Sequence, residues 1–82
     1  MTKEELLDFL ESHRSKLKYH TVYLNRKALE QFAIGYFLDS KSNKFLVYEV
    51  TERQSLIEIA YFKNEEEAVE EVYEIVKYRC RI

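Results

Sequence analysis

Phe32-Ala33-Ile34-Gly35-Tyr36-Phe37-Leu38-Asp39-Ser40-Lys41-Ser42-Asn43-Lys44-Phe45-Leu46-Val47-Tyr48-Glu49-Val50-Thr51 is the stretch that decides the fold. Its two ends are rich in aromatic and β-branched residues, and Phe32, Ile34, Tyr36 and Leu38 alternate with Ala33, Gly35 and Phe37. A period of two sets successive side chains on opposite faces of a pleated strand. The spacing predicts one strand over Phe32–Asp39 and a second over Lys44–Thr51, joined by Ser40-Lys41-Ser42-Asn43, residue types that hydrogen-bond their own backbone in turns. A second polar knot, Glu52-Arg53-Gln54-Ser55, leads into Leu56-Ile57-Glu58-Ile59-Ala60-Tyr61-Phe62, a third strand. Connections this short permit only antiparallel pairing, so the strands read as a three-stranded meander.

Outward from the meander the period changes to that of a helix on both sides. Leu6, Leu10, His13 and Leu17 form one stripe at spacings of three and four, which predicts a helix from Thr2 to about Leu17, opened by a Thr2–Glu5 capping box. After the third strand, Asn64 and Glu67 have the spacing of a cap, and Glu65, Glu66 and Glu67 face the positive end of a helix dipole whose negative end carries Lys77, Arg79 and Arg81. The apolar stripe there is Val69, Val72, Tyr73, Val76 and Cys80. For Leu17–Gln31 the sequence leaves open a short strand at 21–24 and a helical turn at 25–31. The order is α-β-β-β-α. Two amphipathic helices can cover one sheet face, giving an α+β two-layer sandwich with both helices on the same side.

With 82 residues, the chain suffices for a single domain spanning 1–82 and one thin core. Apolar residues at 46% place it among chains that fold, and the single Cys80 excludes an internal disulfide and a cysteine-based zinc site. No apolar run approaches bilayer length, and Met1-Thr2-Lys3-Glu4-Glu5 reads as an acidic helix start, so a cytoplasmic protein without membrane contact is expected. No nucleophile–base or paired-carboxylate spacing stands out, and His13 and His20 lie two helical turns apart, too far for one metal without other ligands. The expectation is a binding protein, with no catalytic residue, metal or organic cofactor.

Charge is where the chain is distinctive. Glu65 to Glu74 holds six acids and no base, whereas Ser12 to Leu29 holds Arg14, Lys16, Lys18, Arg26 and Lys27 and no acid. The double-stranded-RNA-binding domain shares the element order, but its second helix opens with lysines toward phosphate, and here the same place is acidic. A net charge of -2 also argues against nucleic acid as the general partner. The acidic run suits a solvated helix face or a docking surface for a basic protein. Seven tyrosines and five phenylalanines exceed what a thin core absorbs. Either some are displayed as an interface on the uncovered sheet face, or segment 18–31 folds over that face.

Gly35-Tyr36, then Lys44-Phe45-Leu46-Val47-Tyr48-Glu49 closing with Glu52-Arg53, then Tyr61-Phe62 and Asn64-Glu65-Glu66-Glu67-Ala68 form a pattern over about half the chain. It resembles the small immunity proteins of bacterial polymorphic toxin systems. Phe45 stands where that pattern usually has tryptophan, and Gln54 where its Glu-Arg turn usually continues with glycine. The resemblance implies a cytoplasmic inhibitor that occludes the toxic domain of a cognate effector, often a nuclease with a basic active site. The expected partner-binding residues are Glu66, Glu70 and Glu74 on the acidic helix, Glu49, Glu52 and Arg53 around the strand turn, and Tyr48 as an aromatic anchor. The alternatives from other classes are a structural or regulatory homodimer joined by a sheet face or strand edge, and an RNA-binding module using the basic stretch.

Overall fold

In the computed structural model, which describes residues Met1–Ile82, the first helix, α1 (Lys3–Ser12), starts at the expected capping box. The Glu5 N–H donates to Thr2 Oγ1 at 3.2 Å and the Thr2 N–H to Glu5 Oε1 at 2.8 Å. The single helix expected to Leu17 is broken at His13, whose imidazole stacks on Phe9 and donates from Nδ1 to the Phe9 carbonyl at 2.9 Å. A side chain that competes for a backbone acceptor one turn back interrupts the ladder. The remaining turn forms α2 (Arg14–Leu17), which ends at Lys18 in the left-handed region, φ 54°.

The expected three-stranded antiparallel meander is corrected to a four-stranded mixed sheet. Thr21-Val22-Tyr23 forms a short β1 (Thr21–Tyr23), paired in parallel with β2 (Ala33–Asp39). The strands β3 (Lys44–Val50) and β4 (Leu56–Phe62) follow antiparallel, in the spatial order β1-β2-β3-β4. The helical turn allowed at 25–31 does not form; residues 24–32 are an irregular crossover from the end of β1 back to the start of β2. Parallel strands normally need a dozen or more residues between them, and this crossover is shorter because β1 has only three residues to run back over. Its amide at Arg26 extends the ladder by donating to the Tyr36 carbonyl at 2.9 Å.

The final helix, α3 (Glu65–Cys80), begins where Asn64 Oδ1 accepts from the Glu67 N–H at 2.9 Å. It packs Ala68, Val69, Val72 and Val76 against Ile34, Tyr36 and Val47, with Leu6 of α1 completing the core on the same sheet face. The other face is not open. Ala33, Tyr48 and Val50 form a second, smaller core with Tyr23, Phe37 and Leu56, and the 24–32 crossover lies over it. Fully burying side chains of this size stabilises by about 1.5–3 kcal/mol each, which explains why a thin domain keeps two such clusters.

Candidate partner-binding surface

The outward side of α3 follows from its inward one. With Ala68, Val69, Val72 and Val76 buried, helical geometry turns Glu66, Glu67, Glu70 and Glu74 to solvent, and all four are exposed. Glu65 departs from the expected acidic run because it turns inward, accepting the buried Tyr36 hydroxyl at 2.6 Å. The run is also not without countercharge. Glu70 lies 3.3 Å from the Met1 ammonium and Glu74 3.4 Å from Lys77. Exposed pairs of this kind contribute at most about 1 kcal/mol, so these carboxylates remain accessible to a partner.

The other expected site residues do not join that face. Tyr48 is fully buried, its hydroxyl donating to the Arg26 carbonyl at 2.7 Å and accepting from the Ala28 N–H at 3.1 Å. It anchors the crossover, and it is not on the surface in the folded chain. Glu49 faces the helix layer, where Arg79 grips it through Nε and Nη2 at 2.9 Å each. Glu52 and Arg53 are exposed in the β3–β4 turn, but the Glu49–Arg79 pair puts that turn at the carboxy-terminal end of α3. At 1.5 Å per residue, Glu66 is roughly 20 Å from Arg79 along the helix. The expected site therefore separates into an acidic face and a distant turn.

Where the Glu-Arg turn continues, Gln54 adopts φ 62°, the left-handed conformation that glycine takes without strain. The glycine usual at this point in the resembled pattern has the same physical reason.

At the carboxy-terminal end of α3 a cavity of about 350 Å³ opens between Tyr19, His20 and Phe32 on one wall and Ile57 and the Glu49–Arg79 pair on the other. Phe32 sits at φ 62°, an outlier for a bulky residue, held by Tyr19 at 4.7 Å between ring centroids and by His20 Nδ1, 3.2 Å from its carbonyl. These residues lie in or beside the segment whose sequence had no clear period. The basic residues divide between layers: Arg14 and Lys16 are on α2 beside α3, whereas Arg26 and Lys27 are on the crossover, over the Tyr23 and Phe37 rings. They form no continuous stripe for a phosphate backbone.

No cluster of three or more His, Cys, Asp or Glu side chains is placed to hold a metal ion, and no helix is long and apolar enough to cross a membrane. The chain matches no protein family, no curated protein and no solved structure.

The buried tyrosines give a pH dependence. Burial first, then the hydrogen bond and charge of Glu65, hold the Tyr36 hydroxyl well above the ordinary tyrosine value of 10, and burial likewise raises Tyr48. Both are neutral when folded, so their contribution is intact below pH 10 and is lost as pH rises above it, where the unfolded chain ionises first. The urea midpoint is expected to be level with respect to these groups from about pH 8 to 9 and to fall above about pH 10. Tyr36→Phe should reduce that fall, and an equally steep fall in that variant would contradict the assignment.

Proposed function

We propose that this protein is an immunity protein: it binds the toxic domain of a cognate bacterial effector and neutralises it by occlusion, using the outward face of α3. The observation that carries the proposal is one rigid helix presenting Glu66, Glu67, Glu70 and Glu74 to solvent from a backbone locked to the sheet by its apolar side. A basic partner, such as a nuclease active site that attracts phosphate, is steered toward such a face and discriminated from acidic surfaces. Occlusion requires no catalytic group, which suits a chain in which none is assembled. The resemblance to immunity proteins names the partner class, and the acidic face is consistent with it on independent physical grounds. Rim charges set encounter more than residence, so the interface also needs an apolar anchor. Tyr78, 78% exposed four residues beyond Glu74, is the aromatic on α3 available for that role.

Co-expression with the toxic domain encoded by the neighbouring gene tests the proposal. Wild-type chain is expected to restore growth. Glu66→Lys, Glu70→Lys and Glu74→Lys together should abolish rescue while changing the urea midpoint little, because each replaced carboxylate is exposed. Full rescue by the triple variant would contradict the acidic-face mechanism. Failure of the wild type would contradict the immunity function itself.

A further inference from the structure

The two edges of the sheet are unequal. β1 is three residues long, a poor template for another strand, whereas β4 runs seven residues with nothing paired to its outer side. Natural edges are usually blunted by lysine, proline or brevity. Leu56–Phe62 has neither lysine nor proline, carries the single charge Glu58, and exposes Ile57 at 48%, Ile59 at 37% and Tyr61 at 43%. A bulge at Ile59, between the pairs Val47–Ala60 and Tyr48–Glu58, breaks the regular alternation but leaves the edge uncovered.

We infer that β4 is the dimerisation edge of this protein, pairing antiparallel with β4 of a second copy. The occupant follows from charge. The two-residue connection Lys63-Asn64 folds each α3 back along its own β4, so a twofold axis at the edge runs the two α3 helices antiparallel on the same side of a continuous eight-stranded sheet. The acidic first half of one helix then lies alongside the half of the other that carries Lys77, Arg79 and Arg81. A parallel arrangement would align acid with acid and repel. The contact is small, below about 1,200 Å², so the expected dissociation constant is on the order of 10–100 µM. The outward acidic face of α3 stays free in such a dimer, which makes this inference independent of the proposed inhibitory function.

Sedimentation equilibrium of the full chain from about 5 µM to 1 mM, at low salt, tests it. The expected result is a monomer–dimer equilibrium that Ile59→Lys weakens at least tenfold and that 0.5 M salt weakens severalfold, with outward β4 amides exchanging more slowly at 1 mM than at 10 µM in the wild type. A monomer throughout, with β4 amides exchanging equally fast at both concentrations, would overturn self-pairing and leave the edge to a strand of another protein. A dimer that folded Ile59→Lys leaves intact, or one formed without β4 protection in the wild type, would overturn the assignment of the edge.

Discussion

Gly35→Ala is expected to cost about 3 kcal/mol, a large share of the stability of a domain this size. The chain has one glycine, and it lies opposite Tyr23 in the parallel β1–β2 pair. A methyl group there would fall well inside van der Waals contact of the Tyr23 backbone carbonyl and 3.0 Å from the Tyr48 hydroxyl. A backbone carbonyl has no rotamer by which to yield. Moving Tyr48 instead breaks the two hydrogen bonds that hold the crossover. One methyl group therefore strikes both the β1 pairing and the cover of the second core. The measurement is urea unfolding with amide exchange, and faster exchange at residues 21–28 than at β3 should accompany the lower midpoint. A loss below about 1 kcal/mol with β1 protection unchanged would show that β1 does not depend on this close approach.

Tyr48→Ala is the other large effect, about 3–5 kcal/mol from a fully buried aromatic, and Tyr48→Phe separates its causes. The phenylalanine keeps the ring against Ala33, Val50 and Phe37 but leaves the Ala28 N–H and the Arg26 carbonyl without their partner. The expected cost of Tyr48→Phe is about 1–3 kcal/mol, with accelerated exchange at Ala28. An unchanged midpoint in Tyr48→Phe would mean that the hydroxyl does not anchor the crossover. The pair also bears on function, because a fully folded Tyr48→Phe protein should bind its partner with wild-type kinetics if the tyrosine is purely structural.

What the sequence revealed depended on period and caps. The Thr2–Glu5 and Asn64–Glu67 caps, the Ile34/Tyr36 row and the Val69/Val72/Val76 stripe were legible because each is a local pattern repeated over several residues. β1 was not, since three residues carry no measurable period and its parallel pairing depends on a glycine twelve residues away. The Tyr48 ring alternated toward the helix-free face as the pattern required. Its burial depended on Arg26 and Ala28, in a segment with no pattern of its own. Similarly, six acids in ten residues are plain in the sequence, but that Glu65 turns inward to Tyr36 and that Arg79 reaches Glu49 are long-range facts. Glu49 consequently reads as a partner residue from its neighbours in the chain and is an internal ion pair in space.

The most direct test of the acidic-face claim is the association rate constant between this chain and the toxic domain, measured by stopped flow as salt rises from about 50 to 500 mM. Electrostatic steering by α3 predicts a rate that falls at least tenfold over that range for the wild type. It also predicts a slow rate with a flattened salt dependence for the Glu66→Lys, Glu70→Lys, Glu74→Lys variant. Equal rates and equal salt slopes for the two proteins would contradict it.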